Sequence, residues 1–429
     1  MPKEALKVAI AGLGTVGGGT VKVLQNHADE IAARCGRPVV ITAVAALSKE
    51  GLGFDISGYA WYDDAVAMAK DADADVFVEL IGGSEGVARA AVEAALNAGR
   101  HVVTANKALI AHHGKALSRL AESKGVSLNY EAAVAGGIPV IKSIREALAG
   151  NTLKRVQGIM NGTCNYILTT MREEGLDFDK VLKDAQDLGY AEADPSFDID
   201  GVDTAHKLAI LTSVAFGVEL NFKDVHVEGI RHISAVDIQF AEELGYRIKL
   251  LGVASRENGT LEQRVHPTMV PLDSPLAHVE GVFNAVVIDG DEVDTVMQVG
   301  RGAGERPTAS AVVGDITDIA RGISLPTFSV PADKLESVPT RDMNEHVGAY
   351  YVRLSLLDQP GVFADVAAAL RDHQVSMESM IQRAREPGEP VPVVLTTHET
   401  TEANMRAALD AIAKLDSVTE KPRMIRIEG

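Results

Sequence analysis

Short apolar runs alternate with helical patterns over the first third of the chain. Strands are predicted at residues 6–11, 39–47, 75–81 and 101–105, with a glycine-rich turn at 12–19 and a helix at 20–33. Strands that are apolar throughout and separated by helices are typical of a parallel, doubly wound sheet. The pattern therefore predicts an α/β domain over residues 1–135.

A second pattern begins after residue 135. Helices are predicted near residues 138–148, 163–172, 179–188 and 202–216, followed by the strand-like runs RIKLLGVAS, LEQRVHP, NAVVIDG and DTVMQVG. Strands in succession, with helices grouped apart, indicate a mixed sheet that helices cover on one face. We assign residues 136–304 to this second α/β domain.

The last quarter of the chain combines a linker-like stretch with a small domain. Pro326, Pro331 and Pro339, among scattered charges without clear periodicity, indicate a linker at 331–348. Residues 349–429 then give strands and helices in the runs YYVRLSLLD, PGVFADVAAALRDH, VSMESMIQRA, VPVVLTTH, TEANMRAALDAIAKL and SVTEKPRMIRI. That βαββαβ order is the ferredoxin-like unit.

Composition narrows the classes of function. The net charge of −19 over 429 residues argues against a general affinity for nucleic acid or anionic membranes, which needs clustered cations. No apolar run reaches the roughly 18 residues that cross a bilayer. The opening MPKEALKVAIAGLG enters a strand without an apolar signal region, so we expect a cytoplasmic protein. Cys35 and Cys164 are too few for a disulfide framework or a cysteine-based zinc site.

A glycine motif, Gly12-x-Gly14-x-x-Gly17, stands between the first strand and the first helix. The first glycine permits a tight turn, the second lets a pyrophosphate approach the backbone, and the third allows close packing of helix on strand. In this context the motif favours a dinucleotide site over a merely structural turn. The acidic residue that holds the ribose of NAD is missing after the second strand, where Ser48 and Lys49 stand, so we expect NADP or both cofactors.

An aspartate and a lysine head the apolar row of the predicted helix 202–216. Asp203 and Lys207 are four residues apart, on a row that continues through Ile210 and Val214. A surface helix would place such charges opposite its apolar face. We therefore expect a half-buried pair with a function.

Acidic residues are dense just before this helix. Tyr190 is followed by five carboxylates, at Glu192, Asp194, Asp198, Asp200 and Asp203. Asp200 with Asp203 also fits an N-cap with an acidic third position, which the helix dipole favours. Capping needs neither Glu192 nor Asp198 and does not explain Lys207. Such a cluster with one buried lysine could bind an ammonium group and shuttle a proton.

Three further stretches carry chemistry that the residues alone leave open. Lys107 follows a strand at the carboxyl edge of the parallel sheet, where ligands bind, although a solvated loop lysine also fits. The turn at 130–139 combines Glu131 with carbonyls that could hold a hard cation, or it forms a plain domain hinge. Cys164 could be a thiol nucleophile, but a small buried cysteine at a helix start is the commoner case.

Six motifs in order make the chain resemble the homoserine dehydrogenase family, in its long bacterial form with a C-terminal ACT domain. They are AGLGTVGGG, VVTANKALI, YEAAVAGGIPVI, GIMNGTCNYIL, GYAEADPSFDIDGVDTAHKLAIL and GRGAGERPTASAVVGDI. The resemblance spans essentially the whole chain. It implies a Rossmann domain, a substrate and dimerisation domain, and a return of the chain to the first domain at about 305–330. The implied reaction interconverts L-homoserine and L-aspartate 4-semialdehyde with NAD(P), on the route to threonine and methionine.

The resemblance also implies residue roles. Lys207 would be the acid and base, Lys107 would lie at the reacting centre beside the nicotinamide, and Asp203 would orient substrate and lysine. Glu192 would hold the substrate ammonium, and further substrate contacts are implied at Gly162, Thr163, Tyr190 and Asp198. Dinucleotide contacts are implied at Gly12, Leu13, Gly14, Thr15, Val16, Gly17, Gly83, Thr104, Lys107 and Gly304. A sodium or potassium ion is implied at Glu131, Val134, Gly136 and Ile138, largely through backbone carbonyls.

Regulation and assembly complete the implied picture. The turn at 358–362, DQPGV, is similar to those at which ACT domains bind amino acids, so threonine is the expected effector; a domain that only assembles subunits is the alternative. A homodimer or homotetramer is implied. Cys164 stands where many relatives have threonine, which weakens a thiol mechanism. Two other classes stay open: an amino-acid-sensing protein without turnover, and an aspartate-semialdehyde or glyceraldehyde-phosphate type dehydrogenase, which needs an activated cysteine.

Overall fold

The computed structural model describes residues 4–383 and 386–428. Its first sheet has six parallel strands: β1 (Leu6–Ala11), β2 (Val39–Ala45), β3 (Ala60–Tyr62), β4 (Val76–Glu79), β5 (His101–Thr104) and β6 (Leu128–Asn129). Five helices cover them: α1 (Thr15–Asn26), α2 (Ala28–Cys35), α3 (Ala65–Asp71), α4 (Val87–Asn97) and α5 (Lys107–Lys124). The order β3-β2-β1-β4-β5-β6 is that of a doubly wound dinucleotide-binding sheet, which confirms the predicted class.

The first helix differs from its prediction. It begins at Thr15 rather than at residue 20 and therefore contains Gly17, Gly18 and Gly19; it breaks at His27. A Cβ atom on Gly17 would lie 1.9 Å from the carbonyl oxygen of Gly12, so the helix approaches the turn too closely for any side chain there. A run of glycines indicates a turn by propensity, but close packing keeps this one helical.

The second part of the chain surrounds a mixed sheet. Its helices are α6 (Val140–Lys142), continued by a π-helical turn at Ser143–Ala147, α7 (Gly162–Glu174), α8 (Phe178–Asp187), α9 (Ser196–Ile199), α10 (Val202–Phe216), α11 (Ala235–Glu243) and α12 (Glu305–Arg321). Its strands are β7 (Leu153–Ile159), β8 (His226–Val227), β9 (Tyr246–Glu257), β10 (Thr260–Pro271), β11 (Phe283–Gly290) and β12 (Thr295–Arg301). The apolar face of α10 packs on β7, β9 and β10, while α12 packs against α1 of the first sheet. The bounds of α10 match the prediction, whereas β3, β7 and β8 were not predicted.

The C-terminal part has the expected βαββαβ order. It contains β13 (Val347–Leu357), α13 (Val362–Asp372), β14 (Met377–Gln382), β15 (Pro390–Thr397), a two-residue β16 (Thr400–Thr401), α14 (Glu402–Ile412) and β17 (Arg423–Ile427). The strand order β17-β13-β15-β14 is that of the ferredoxin-like unit and confirms this part of the fold. The predicted run 375–384 ends on Ala384, which lies outside the described residues, as do residues 1–3 and 429 of the predicted domain ranges.

The two C-terminal sheets are continuous. Strand β17 pairs in parallel with β10, which joins the mixed sheet and the ferredoxin-like sheet into one sheet of eleven strands. The stretch at 331–348 is also attached: the Leu261 N–H donates to Pro339 O, and the Arg341 N–H donates to Leu261 O. The C-terminal unit and the stretch that precedes it are thus hydrogen-bonded to β10 of the mixed sheet, so 331–348 is not a free linker.

Across residues 4–383 and 386–428, no helix is both long and apolar enough to cross a membrane.

Candidate active site

A buried aspartate joins two lysines at the start of α10. Asp203 Oδ2 accepts hydrogen bonds from Lys207 Nζ (2.8 Å) and from Asn161 Nδ2 (2.8 Å), and Asp203 Oδ1 lies 2.5 Å from Lys107 Nζ. The Asp203 side chain is 2% exposed and that of Lys207 9%, whereas that of Lys107 is 34% exposed. Two lysine amines, one from α5 and one from α10, therefore meet on one carboxylate.

The N-cap interpretation of this region is wrong. Gly201 occupies the N-cap of α10 in the left-handed region, at φ 85°, and no side chain caps the helix. Asp200 instead pairs with Arg231 at the surface, and Asp203 points at the lysines. The carboxylate of Asp203 is thus available for chemistry rather than used by the backbone of its own helix.

Burial and the neighbouring charges set the protonation of this cluster. Burial lowers the pKa of Lys207, and the positive charge of Lys107 lowers it further; Asp203 opposes both effects without cancelling them. Burial alone would raise the pKa of Asp203, but Lys207 and Lys107 hold that pKa well below its usual range. Lys207 Nζ also donates to Met160 O at 2.6 Å, which fixes the direction of the amine.

Asn161 connects the acidic residues, and the sequence reasoning missed it. Its Oδ1 accepts from the Cys164 N–H and caps α7, while its Nδ2 donates to Asp198 Oδ1 (2.7 Å) and to Asp203 Oδ2. An asparagine before a helix signals a cap. Its bonds to Asp198 and Asp203 could not be predicted from the sequence, because these residues lie 37 and 42 positions further along the chain.

The cluster opens into a cleft of about 490 Å³. Every residue implied to act in catalysis or to contact substrate lines it: Lys107, Gly162, Thr163, Tyr190, Glu192, Asp198, Asp203 and Lys207. Gly304, one of the residues that the resemblance implies to contact the dinucleotide, lines the same cleft. Asp194 of the predicted acidic cluster lines it too. The remaining lining residues, which sequence reasoning did not select, are Asn161, Gly189, Phe197, Val282, Asn284, Arg301, Gly302 and Ala303. The structure thus gathers residues from four of the six motifs at one place.

The thiol of Cys164 lies behind this cleft rather than in it. Cys164 is fully buried, and its Sγ donates to Asp198 O at 3.3 Å. Burial, reinforced by the charges of Asp198 and Asp203, raises the pKa of this thiol well above its usual value. A nucleophilic cysteine needs an accessible thiolate, so the geometry argues against a thiol mechanism.

A second cavity, of about 540 Å³, lies at the carboxyl ends of β1, β2 and β4. Gly12, Leu13 and Gly14 form one wall, and Ser48 and Asp63 lie in the opposite one. No atom stands within 4 Å of a Cβ built on Gly14, so a ligand can reach the backbone there. Thr15 and Val16 form the first turn of α1 beside it. This shape fits a pyrophosphate at a helix N-terminus.

A buried glutamate, which sequence reasoning did not select, shapes the rim of this cavity. Glu79 ends β4, and its Oε1 accepts from the N–H groups of Ile81 (2.8 Å) and Gly82 (2.9 Å). Its Oε2 accepts from Thr104 Oγ1 at 2.6 Å, so the fully buried Thr104 braces the loop from within. Gly83 is held from the other side, where its carbonyl accepts from Asn106 Nδ2 at 2.7 Å.

A separate pair of buried carboxylates lies below the cleft. Both side-chain oxygens of Glu131 accept backbone N–H groups, from Ile141 (2.9 Å) and Lys142 (2.8 Å), and the Glu131 N–H donates to Asp315 Oδ2. Burial, with the charge of Asp315, raises the pKa of Glu131 to about 8. Val134, Gly136 and Ile138 follow in the same turn. Within the described part of the chain, no group of three or more His, Cys, Asp or Glu side chains is arranged to hold a metal ion.

A dinucleotide cradle beside a cleft with two lysines and several carboxylates defines an oxidoreductase that uses a nicotinamide dinucleotide. The comparisons with known proteins agree. The NAD-binding domain of homoserine dehydrogenase matches residues 12–131, the homoserine dehydrogenase domain matches 139–317, and the ACT domain matches 350–417. The chain belongs to the homoserine dehydrogenase family.

Individual relatives match over the full length. Homoserine dehydrogenase of Pseudomonas aeruginosa is 45% identical over 99% of both chains. The crystal structure of a homoserine dehydrogenase from Thiobacillus denitrificans superposes with a TM-score of 0.93 at 44% identity, over 100% of this chain and 99% of that one. A hyperthermophilic archaeal homoserine dehydrogenase in complex with NADPH has a TM-score of 0.65 at 28% identity, over 76% of this chain and 99% of that one. The protein is therefore an NAD(P)-dependent oxidoreductase that interconverts L-homoserine and L-aspartate 4-semialdehyde.

Replacing Asp203 by Asn should change the pH dependence of homoserine oxidation. The family resemblance implies that Lys207 is the base in homoserine oxidation, so the rate should rise as pH passes through the pKa of this lysine. Because Asp203 raises that pKa, its loss should move the rising limb of kcat to lower pH, while the maximal rate falls about 10- to 100-fold. The check is a kcat–pH profile at saturating substrates. Asp194→Asn, which neutralises an exposed carboxylate in the same cleft, should leave the limb in place; an upward shift in Asp203→Asn would contradict the assignment.

Proposed function

We propose that Lys207 exchanges a proton with the substrate oxygen, that Lys107 stabilises negative charge on that oxygen, and that Asp203 orients both lysines. The observation that carries this proposal is the single buried carboxylate that bonds Lys207 Nζ at 2.8 Å and pairs with Lys107 Nζ at 2.5 Å. Both amines line the cleft, so a substrate oxygen can reach them together.

Bound NAD(P)+ supplies the hydride acceptor for oxidation. Neutral Lys207 takes the proton of the alcohol, and its amine is available because burial lowers its pKa. Lys107, the more exposed of the two, stabilises the developing alkoxide. In the opposite direction, protonated Lys207 donates to the carbonyl oxygen. Oxidation should therefore be favoured at alkaline pH, and reduction should proceed well near neutrality.

The remaining residues of the cleft suit the zwitterionic end of homoserine. The N-terminus of α7, at Gly162 and Thr163, presents free N–H groups and a positive dipole end to a carboxylate. Thr163 Oγ1 donates to Tyr190 O at 2.8 Å, which keeps Tyr190 at this rim. Glu192 supplies a negative charge for the substrate ammonium. Asp198 is linked to Asp203 by Asn161, whose Nδ2 donates to both carboxylates.

Dinucleotide binding is proposed along the glycine turn, with a preference for NADP. The contacts are those named above: Gly12, Leu13, Gly14, Thr15, Val16, Gly17, Gly83, Thr104, Lys107 and Gly304. Lys49 Nζ lies 4.9 Å from the centre of the Trp61 ring, and the Trp61 indole donates to Asp63 Oδ1, so the cation is kept near the cavity wall that contains Ser48. A cation there favours a 2′-phosphate. The NADPH complex of the archaeal relative is consistent with this preference.

A sodium or potassium ion is proposed at Glu131, Val134, Gly136 and Ile138. Two buried carboxylates, Glu131 and Asp315, lie side by side, and Asp315 Oδ1 has no hydrogen-bond partner among residues 4–383 and 386–428. Burial makes these carboxylates costly to ionise, and a bound cation would favour their charged form. Because the Glu131 oxygens already accept N–H groups, backbone carbonyls would supply most ligands. Turnover in KCl or NaCl, compared with choline chloride at equal ionic strength, tests the site; equal turnover in all three salts would contradict it.

Threonine is proposed to bind at the 358–362 turn of the ACT domain. Asp358 Oδ2 is buried, and the part of the chain that the structure describes offers it no hydrogen-bond partner. Such an oxygen is costly unless a ligand or water satisfies it. An ammonium or hydroxyl group would supply the missing donor.

Assembly, location and domain limits are proposed from the same features. Exposed apolar side chains lie near both ends of the long sheet: Phe283 on β11 and Val299 on the edge strand β12 at one end, and Met377 and Met380 on the edge strand β14 at the other. They support a homodimer or homotetramer, which sedimentation would test against a monomer.

A cytoplasmic location is also proposed. Two free, buried cysteines suit the reducing cytoplasm, which fractionation would test. The proposed domain limits are residues 1–135 for the dinucleotide-binding domain, to which the chain returns at about 305–330, and 136–304 for the substrate-binding and dimerisation domain. A linker at 331–348 and the ACT domain at 349–429 follow. Limited proteolysis would test these limits.

Removing the Lys207 amine should abolish most turnover. Lys207→Ala should lower kcat about 100-fold or more, because the proton acceptor is lost, while cofactor binding measured by fluorescence stays within about twofold. Lys249→Met removes another buried lysine, one outside the cleft, and is the matched control for burial. Near-normal turnover in Lys207→Ala would reject the assignment.

Removing the charge of Lys49 should change cofactor preference. Lys49→Ala should raise the KM for NADP+ about 10-fold and leave the KM for NAD+ within about twofold, because only the former carries the 2′-phosphate. Lys70→Ala, an exposed lysine outside both cavities, controls for net charge. Equal changes for both cofactors would contradict a role for Lys49.

Removing the Asp358 carboxylate should weaken threonine inhibition without slowing the uninhibited reaction. Asp358→Ala should raise the half-inhibitory threonine concentration about 10-fold, the loss expected for one charged hydrogen bond. Asp365→Ala, an exposed carboxylate on the neighbouring helix α13, is the control. Point substitution is preferable to truncation, because deleting β17 would expose β10. Equal sensitivity of Asp358→Ala and the unaltered enzyme would rule out this site.

A further inference from the structure

We propose that Arg426, on the last strand of the ACT domain, is a positioning residue that holds Asp198 in the cleft through Glu228. This inference rests on the proposed role of Asp198 in substrate binding. On this proposal the ACT domain helps to position a substrate-binding residue, in addition to any effector that it binds.

Arg426 holds two carboxylates from different parts of the chain. Its Nη1 and Nη2 donate to the two oxygens of Glu228, at 2.9 and 3.0 Å. Its Nε and Nη2 donate to the two oxygens of Glu402 on α14, at 2.7 and 2.5 Å. Arg426 is 1% exposed. A buried, planar guanidinium with two bidentate partners fixes the position of both carboxylates.

The residues that follow Glu228 press against the short helix α9. The Glu228 N–H donates to Val265 O at 2.8 Å, which ties this segment to β10. A Cβ on Gly229 would lie 2.2 Å from Ile199 O, so the two backbones are in direct contact. The Ile230 N–H then donates to Ile199 O at 2.9 Å. A shift of Glu228 would therefore act on the C-terminal end of α9.

Helix α9 carries Asp198 and has little stability of its own. It spans only Ser196–Ile199, a single turn, so its place depends on what packs against it. Arg231 contacts the first residue of α9, where Arg231 Nη2 donates to Ser196 Oγ at 2.9 Å. Asp198 Oδ1 accepts from Asn161 Nδ2, which also bonds Asp203. Displacing α9 would move Asp198 relative to the lysines.

Removing Arg426 would leave Glu228 and Glu402 close together with Arg406 as their shared cation; the Arg406 side chain is 46% exposed, against 2% for Arg426. Breaking a buried ion pair from one side is destabilising, because the buried carboxylates lose compensating charge. Glu228 would then shift toward His226 and Arg406, its other partners. That shift acts directly on Gly229 and Ile199.

A second buried ion pair between the same two parts of the chain provides a matched control. Arg353, on β13, donates from Nε to Asp237 Oδ1 at 2.7 Å. Asp237 caps α11 together with Ser234, and its carboxylate accepts hydrogen bonds from Ser234, Tyr351 and Arg353. Loss of Arg353 should therefore cost stability without moving Asp198.

The test is a double-mutant cycle. Arg426→Met and Arg353→Met are made alone and with Asp198→Asn, and KM for homoserine and for the cofactor is measured well below each variant's Tm. Arg426→Met should raise the homoserine KM about 10-fold, leave the cofactor KM within about twofold, and add less than about twofold in the Asp198→Asn background. Arg353→Met should lower Tm without changing either KM. Equal effects of Arg426→Met in both backgrounds would overturn the proposal.

A second variant keeps the test decisive if Arg426→Met does not fold. Gly229→Ala leaves the Arg426 ion pairs intact but drives a methyl group into Ile199 O, and it should raise the homoserine KM in the same way; Gly150→Ala, at a site with no atom within 4 Å, is its control. An unchanged homoserine KM in Gly229→Ala would contradict the proposal. If Asp198→Asn alone leaves that KM unchanged, the proposed substrate role of Asp198 fails; if only the coupling is absent, the role of Arg426 fails.

Discussion

A carboxylate removed from water must be compensated, and Asp203 is compensated by two lysines. At 2% side-chain exposure it would be costly alone, so Lys107, Lys207 and Asn161 converge on it. Lys107 begins the helix that follows the first sheet, whereas Lys207 lies on the helix that covers the second. The ion pairs thus fix the two α/β parts of the chain relative to each other at the cleft.

The same compensation sets the chemistry. A lysine buried without a partner would lose its proton at neutral pH, and one beside an unshared aspartate would keep its proton too firmly. Because Asp203 is shared between two lysines, its charge only partly offsets the burial of Lys207, whose pKa stays lowered. In the proposed mechanism this one carboxylate orients Lys207 as the base and Lys107, the more exposed amine, as the group that stabilises the substrate oxygen.

Local patterns carried most of the correct sequence predictions. The bounds of β1 and of α10, and the order of the C-terminal unit, follow from residues that are near neighbours in sequence. The errors have long-range causes. Asp203 was open to interpretation as part of a cap because Lys107, almost a hundred residues earlier, is its partner only in space. Asn161 and Glu79 were missed for the same reason, since their hydrogen bonds join separate segments.

The pairing of β17 with β10 was also beyond sequence reasoning, because over 150 residues separate the two strands. It changes how the ACT domain should be understood. Its sheet continues that of the substrate-binding part, and Glu428, next to β17, forms ion pairs with Arg155 and Arg264 of that part. A displacement of β17 would therefore act on strands that support the cleft.

The most direct test of this account is the pKa of the Lys207 amine in the folded enzyme. It can be measured by NMR titration of the protein labelled with ¹⁵N-lysine, with the signal assigned by its loss in Lys207→Arg. The account predicts a value below the roughly 10.4 of a lysine in water. A value at or above that of a free lysine would contradict the central claim, because the amine would then be no better a base than one in solvent.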